Sequence, residues 1–289
     1  MAYRPEPAPF EEELAGLDAL EAKARQAESR ARRFWSATWP KVVAVAIVLL
    51  LWQSLVWLHF RPFVLKGPVE VFKNLWDNIS NGQLPPAVGV TLERALIGYS
   101  IALLIGVSVG MAVARVPVLR AGVGSLITGL QTMPSVAWFP LAIAIFQLGE
   151  WAILSVVILG AAPAIANGLI SGIDNVPPLL LRAGRVLGAR GVKSYRHVIL
   201  PAAFPTFFAG MKQGWAFAWR SLMAGELIVS LGRPSLGLFL ENSSSNADYA
   251  GLQAAMLVIL IIGILVDSLF FGVIERRVRR RWGLVETVS

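Results

Sequence analysis

Six long apolar stretches dominate the pattern of hydrophobic and polar positions along the chain. They lie at about residues 42–58, 91–114, 121–148, 151–173, 204–230 and 252–271. An α-helix needs about 20 predominantly apolar residues to cross the hydrocarbon core of a bilayer. Each stretch approaches or exceeds that length, and polar segments separate them. The pattern therefore predicts an all-α integral membrane protein with six transmembrane helices.

Composition and charge agree with this interpretation. Of the 289 residues, 56% are hydrophobic and 15% are charged, whereas about a quarter of the residues in a soluble domain are charged. The net charge of +8 does not indicate a nucleic-acid partner, because the basic residues cluster at the ends of apolar stretches. Lys and Arg accumulate on cytoplasmic loops. We therefore expect a multi-pass protein whose N- and C-termini, and basic segments 115–120, 174–203 and 275–289, lie in the cytoplasm.

The segments outside the apolar stretches predict three regions. Residues 1–40 would form a cytoplasmic helix or tail, with acidic residues first and basic ones last along 11–33, which suits the helix dipole. Residues 41–275 would form the transmembrane domain, and residues 276–289 a basic tail. On the external side, we expect an extended segment at 63–68, an amphipathic helix at 69–79 and a Gly-, Ser- and Asn-rich loop at 231–250, with a tight turn in LGRPSLG.

Small, polar and helix-breaking residues interrupt three of the predicted spans. In the second, the spacing places Gly98, Gly106 and Gly110 near one face, where small residues allow close helix packing. The third is broken at Pro134 and Pro140. In the fourth, we expect Pro163 and Asn167 to face the bundle interior. A proline break is either a simple kink or the edge of a cavity. In the second case, the path would be lined in part by Gln131, Thr132, Ser135 and Trp138.

The predicted span at 204–230 carries the most polar chemistry. Lys212, Trp219 and Glu226 share one helical stripe, and Gln213 and Arg220 share a second. Charges inside a span are costly and are functional by default. Two structural alternatives are open: an Arg220–Glu226 ion pair, and a Lys212 that extends to the interface. A guanidinium suits a small oxyanion through paired hydrogen bonds. The candidate substrate-path residues are Arg220, Lys212, Gln213, Trp219, Glu226, Gln131 and Trp138.

The basic segment at 177–201 separates the fourth and fifth predicted spans. Pro177 and Pro178 suit the start of a helix, Gly188 and Gly191 permit a sharp turn, and Pro201 would end a second short helix. The segment is either a topological anchor or a docking element for a soluble partner.

The spacing within this segment carries a family resemblance. Arg182-Ala183-Gly184, Gly188 and the group Val198, Leu200 and Pro201 follow a pattern found in permease subunits of ATP-driven importers. That pattern is E-A-A, three residues, G, nine residues, I, one residue, L-P. Arg182 stands in place of the usual Glu, and Gly184 in place of Ala. The flanks TLERALIGY and QTMPSVAWFPLAIAIFQLGE resemble the branch that imports nitrate, sulfonate, taurine, cyanate or bicarbonate, and the resemblance covers residues 66–275.

This resemblance implies the fold of a type I ABC importer permease in a bacterial inner membrane. It implies a homodimer, two ATPase subunits that hold ATP and Mg, and an extracytoplasmic solute-binding protein that delivers a small anion. The loop at 177–201 would couple to the ATPase. Its implied coupling residues are Arg182, Ala183, Gly184, Gly188, Leu200 and Pro201, to which we add Val192, Tyr195 and His197 as candidate contacts. Anchoring at lipid headgroups is an equal alternative for Tyr195.

The sequence lacks the motifs of an enzyme. Gly191-Val192-Lys193-Ser194 only approaches the Gly-Lys-Ser/Thr step of a phosphate-binding loop. The chain has no cysteine, and its two histidines are far apart, so we expect no metal site and no cofactor bound by this chain. We also see no catalytic triad. The alternative to a permease subunit is a self-sufficient secondary carrier or channel, although we find no internal repeat of the kind such carriers often show.

Overall fold

The computed structural model describes residues 30–282 and divides the chain into two units, Met1–Pro68 and Val69–Ser289. In the first unit, helix α1 spans Arg30–Trp57 and contains the candidate membrane span Thr38–Trp57. The helix predicted at 11–33 lies almost entirely outside the described residues. The expected region boundary after residue 40 falls within α1.

A turn follows α1 where the sequence suggested extended chain. The backbone N–H groups of Val64 and Leu65 both donate to the carbonyl of Arg61. The indole Nε1 of Trp52 donates to the carbonyl of Lys66 at 2.9 Å. The expectation of an extended segment at 63–68 was therefore wrong for its first half, because local hydrogen bonds close the backbone on itself.

Every regular element of the second unit that the structure describes is helical. From the N-terminal side these are α2 (Pro68–Ser80), α3 (Leu84–Arg115), α4 (Pro117–Thr132), a short 3-10 helix (Ser135–Trp138), α5 (Phe139–Phe146) and α6 (Glu150–Asp174). The chain continues through α7 (Pro178–Val186), α8 (Val192–Ser194), a π-helix (Tyr195–Ile199), α9 (Leu200–Ile228), α10 (Leu236–Ser245), α11 (Tyr249–Leu265), a second π-helix (Val266–Phe271) and α12 (Gly272–Arg281). The helix predicted at 69–79 is confirmed as α2.

Helix α6 occupies the core and packs against α3 on one side and α9 on the other. Gly98, Gly106 and Gly110 of α3 are buried against α6, as their spacing predicts. A Cβ on Gly106 would lie 2.8 Å from the carbonyl oxygen of Ala162, and one on Gly110 would lie 3.0 Å from that of Ala166. On the other side of α6, a Cβ on Gly210 would lie 2.6 Å from the Cα of Gly168. Small residues thus set both helix–helix distances.

The third predicted span is broken, as its prolines suggest. Helix α4 and the segment Ser135–Phe146 meet at 104°. The break falls at Met133 and Pro134, which are both in extended conformations. Pro140 does not break the chain, contrary to expectation. It lies in the first turn of α5, where the N–H that proline lacks would have no intrahelical partner anyway.

Four described helical segments are long and apolar enough to cross a membrane: Thr38–Trp57, Leu84–Arg115, Glu150–Asp174 and Tyr249–Arg281. The bent pair makes a fifth if it counts as one span. Helix α9 contains most of the predicted span at 204–230 and has 29 residues. It is nevertheless not one of these four segments. The count of six therefore stays a prediction.

The segment at 231–250, predicted as a loop, contains helix α10. The Ser235 hydroxyl caps this helix by accepting a hydrogen bond from the N–H of Leu238 at 3.2 Å. Leu236 is fully buried. Asp248 then caps α11 by accepting from the N–H of Gly251 at 2.9 Å. Side-chain caps and one buried leucine hold a helix that the polar composition concealed.

The Gly168–Gly210 contact leads to a stability prediction. We expect Gly210→Ala to lower the unfolding free energy by about 1–3 kcal/mol, because the new methyl group forces α6 and α9 apart. Gly89→Ala is the matched control: it lies within α3 with no atom near the new Cβ, so it should be neutral or gain up to about 1 kcal/mol of helix propensity. Thermal unfolding of the purified protein in detergent measures both. Equal melting temperatures for the two variants would contradict the packing argument.

Candidate functional site

The segment at 177–201 folds as two helical pieces joined by a tight turn. Helix α7 begins at Pro178, as predicted, and ends at Val186. Gly188 and Gly191 have φ angles of +79° and +55°, in the left-handed region that side chains with a Cβ disfavour. The expected turn at these two glycines is confirmed.

Pro201 does not end the second piece, contrary to expectation. The backbone is helical without interruption from residue 192 to residue 228, through α8, the π-helix and α9. In the π-helix, the N–H of Leu200 donates to the carbonyl of Tyr195, five residues earlier. Pro201 lies in the first turn of α9. A proline is tolerated where one helix type passes into another, because the ladder of hydrogen bonds is already changing register there.

The turn presents an apolar tip. Val186, Leu187 and Val192 are 88%, 85% and 77% exposed. Arg182, Ala183 and Gly188 are exposed as well. An apolar group of this kind at the end of a stiff hairpin is a suitable contact surface for another protein.

Packing between the two pieces explains Gly184, which replaces the alanine of the resembling loops. Gly184 is buried, and a Cβ there would lie 2.8 Å from the Cγ2 of Val198. The valine fills the space that a methyl group would need. The close approach keeps the hairpin compact.

The candidate contact residues have different surroundings. Tyr195 is half-buried, and the Arg115 guanidinium lies 4.5 Å from the centre of its ring. Tyr195 therefore joins the hairpin to the end of α3. His197 is exposed, with Nδ1 3.1 Å from the carbonyl oxygen of Lys193. A neighbouring ion pair between Arg120 and Asp174 joins the beginning of α4 to the end of α6.

A cavity of about 310 Å³ opens at the break of the bent pair. It brings together three of the seven candidate substrate-path residues: Arg220, Gln131 and Trp138. Thr132 and Ser135 also line it, together with Leu130, Met133, Pro134, Val136, Leu159, Gly160 and Phe217. The proline break thus separates two helices and leaves polar groups at an open space.

Within this cavity, Arg220 has no acidic partner among residues 30–282. Its Nε donates to the carbonyl of Ala216 at 3.1 Å, and its guanidinium lies 5.1 Å from the centre of the Phe217 ring. Gln131 is oriented by its Nε2, which donates to the carbonyl of Pro163 at 3.3 Å. The guanidinium therefore keeps N–H donors available for an anion.

The other four candidates lie elsewhere. Lys212 pairs with Asp267 at 3.2 Å and with Glu275 at 3.5 Å, in a different cavity. Gln213 is exposed and does not line the 310 Å³ cavity. Trp219 is buried and stacks on Trp215, with ring centres 6.3 Å apart.

Glu226 does not pair with Arg220, so that structural alternative was wrong. Six residues separate the two on one helix, and only residues three or four apart face each other. Glu226 is 1% exposed and accepts from Nη1 of Arg94 at 2.9 Å. The Thr91 hydroxyl donates to its other oxygen at 2.8 Å, and the N–H of Gly237 does so at 3.2 Å.

Arg94 is the centre of a network that the sequence interpretation missed. It is 3% exposed, and its Nε and Nη2 donate to the two oxygens of Glu150 at 2.8 and 2.7 Å. Arg233 reaches the same network through Glu150 at 3.4 Å and Glu93 at 3.0 Å. The network joins α3, α6, α9 and the start of α10. One signal was available: Arg94 and Glu226 are opposite charges inside two apolar stretches, and such charges need partners.

Comparison with known proteins points to a family of transport proteins. A family model described as "Binding-protein-dependent transport system inner membrane component" matches residues 102–280. The nitrate import permease protein NrtB of Synechocystis sp. is 26% identical over 241 residues, which cover 79% of this chain and 86% of that protein. The taurine transport system permease protein TauC of Escherichia coli is 26% identical over 248 residues, covering 84% and 89%.

A solved structure shares the fold. The structure of the MetNI methionine ABC transporter in inward-facing conformations aligns with a TM-score of 0.57 at 20% identity. The alignment covers 68% of this chain and 96% of that one. The fold resemblance implied by the loop motif is thereby supported.

The buried network leads to a second stability prediction. Arg94→Met removes the cation beside Glu226 and should cost about 3–5 kcal/mol, the usual penalty for an uncompensated buried charge. Arg233→Met, at an exposed pair, should cost at most about 1 kcal/mol. Chemical unfolding in detergent measures both.

A double variant tests the pairing itself. Arg94→Met combined with Glu226→Met should be less damaging than the two single effects added together, since neither charge is then left alone. Strict additivity, or an Arg94→Met effect as small as that of Arg233→Met, would refute a dominant role for this pair.

Proposed function

The chain belongs to the family of binding-protein-dependent transport system inner membrane components, and on that premise we propose that it forms the translocation path for a small oxyanion such as an aliphatic sulfonate, taurine or nitrate. As an ABC importer permease subunit it is a multi-pass membrane protein, and its family is a transport component rather than an enzyme. The finer assignments that follow concern cargo, coupling and partners.

The observation that supports an anionic cargo is Arg220 in the 310 Å³ cavity. A guanidinium with unused donors beside Gln131 and Trp138 offers charge and directed hydrogen bonds to a small oxyanion. The break that opens this cavity is a feature of many transporter sites. Two similar proteins are named for nitrate and taurine, which are compatible with such a site.

We assign energy coupling to the hairpin at 177–201. Its apolar tip of Val186, Leu187 and Val192 is exposed, and a separate ATPase subunit that holds ATP and Mg would cover it. This requires the hairpin, and both termini, to lie in the cytoplasm. Two copies of the chain, two ATPase subunits and an extracytoplasmic solute-binding protein would make the complete importer.

In this proposal, the ATPase subunits drive transport by binding two conformations of the permease with different affinity. ATP binding would bring the ATPase subunits together and displace the hairpins, and the cavity would face one side of the membrane or the other. A partner can drive such a change only if it binds the two conformations with different affinity. The apolar tip provides the contact through which that difference acts.

A charge-removal variant tests the cargo assignment. Arg220→Gln should lower ATP-dependent uptake of taurine or nitrate about 10–100-fold, the value of a lost charge-assisted hydrogen bond. The measurement uses proteoliposomes that contain the chain, its ATPase and its binding protein. Arg276→Gln, a cation that does not line this cavity, is the control.

Two results would overturn this assignment. Full uptake by the Arg220→Gln variant would remove Arg220 from the path. Uptake by the chain alone, without ATP, would instead favour a self-sufficient carrier.

A tip variant tests the coupling assignment. Val186→Ser/Leu187→Ser should weaken co-purification with the ATPase at least about tenfold, since each buried aliphatic side chain contributes about 1.5–3 kcal/mol. Val69→Ser/Phe72→Ser alters exposed apolar residues of α2 and serves as the matched control. Unchanged ATPase binding by the tip variant would exclude the tip as the docking surface.

A further inference from the structure

A second concave surface lies between the beginning of α9 and the helix α12. Its volume is about 510 Å³. We call it the arginine groove and define it by its lining residues: Arg196, Leu200, Pro201, Phe204, Ile274, Arg277, Val278, Arg281 and Trp282. It is separate from the 310 Å³ cavity and shares no residue with it.

The lining of the arginine groove carries positive charge and no negative charge to balance it. Arg196, Arg277 and Arg281 contribute three guanidiniums, and none of the lining residues among 30–282 is acidic. Arg277 and Arg281 are one helical turn apart, so their side chains lie on the same face of α12.

An adjoining cavity of about 530 Å³ shows a different arrangement. It also contains cations, Lys212 and Arg279, but Glu275 lies between them at 3.5 and 3.1 Å. Lys212 also pairs with Asp267 at 3.2 Å, so both cations of that cavity have acidic partners. Of the two, the arginine groove is the one whose charge calls for an external anion.

The floor of the arginine groove is apolar, and contacts with α9 hold Trp282 in place at its edge. The Trp282 ring stacks on Phe204 with centres 5.7 Å apart, and its Nε1 donates to the carbonyl of Pro201 at 2.9 Å. Ile274 and Val278 continue the apolar surface along α12. A ligand that fits must therefore join an anionic group to an apolar body.

The position of the groove indicates where such a ligand comes from. Arg277 and Arg281 end the candidate membrane span Tyr249–Arg281. Tryptophan is enriched at the depth of lipid headgroups, and Trp282 follows that span directly. Basic pockets between helices at this depth bind anionic lipid headgroups.

We propose that the arginine groove binds an anionic phospholipid from the leaflet on the side of the 177–201 hairpin. The headgroup phosphate, with no cationic group of the lipid beside it to offset its charge, accepts paired hydrogen bonds from the guanidiniums. The first part of the acyl chains lies on Phe204 and Ile274. Because the groove joins α12 to the root of the hairpin, the lipid contacts both elements at once. The proposal does not depend on the identity of the cargo.

Native mass spectrometry of the detergent-purified full chain tests this assignment. Titration with phosphatidylglycerol should give a saturable adduct on the wild type, and titration with phosphatidylcholine should not. Arg277→Gln/Arg281→Gln should weaken the phosphatidylglycerol adduct about thirtyfold, from about fivefold for each arginine near an anionic group. Arg276→Gln/Arg280→Gln removes the same charge from the same helix outside the groove and should bind as the wild type does.

The outcomes distinguish lipid binding in the arginine groove from attraction of the lipid to the overall positive charge of the protein. Equal weakening in both double variants would overturn the proposal, because net charge alone would then explain binding. Complete competition by inorganic phosphate would also overturn it, since a free anion would be the occupant. A third result would also overturn the proposal: Arg277→Gln/Arg281→Gln binds phosphatidylglycerol as the wild type does but no longer binds the ATPase. The arginine groove would then be a contact surface for a protein partner. Matching melting temperatures establish that both variants are folded.

Discussion

The buried ion pair between Arg94 and Glu226 constrains the rest of the bundle. Both side chains are almost completely excluded from solvent, and a charge in that position is tolerated only when its partners are complete. Arg94 meets this condition with Glu150 and Glu226, and Glu226 meets it with Thr91 and the backbone of Gly237. Four helices must therefore converge at one end in a single register. Movement of any one of them would remove at least one of these hydrogen bonds.

Close packing determines the remaining helix positions. Lipid offers no hydrophobic gain for joining two apolar helices, so association depends on close contact between small residues. Helix α6 uses this on both sides, through the glycines of α3 and through the contact between Gly168 and Gly210. The central three helices form a compact body. The open surfaces lie around it: the cavity at the broken span, the hairpin tip and the arginine groove.

Local sequence predicted those features that depend on local chemistry. The glycine face of α3, the break at Pro134 and the turn at Gly188 and Gly191 follow from helical period and backbone freedom. The partner of Arg94 could not be predicted in this way, since Glu226 lies 132 residues further along the chain. Helix α10 was missed because its stability comes from a cap and from burial of Leu236. Val186 and Leu187 were missed because the sequence of a basic loop does not reveal whether its apolar residues are buried or exposed.

The continuous helix from residue 192 to residue 228 has a mechanical consequence. No flexible linker separates the hairpin from the span that carries Arg220. Leu200 and Arg220 are about 30 Å apart along the axis at about 1.5 Å per residue, and a helix resists bending over that length. A force applied at Val192 would therefore reach α9 without an intervening loop. The same helix carries Arg220, so one continuous backbone joins the hairpin to the 310 Å³ cavity.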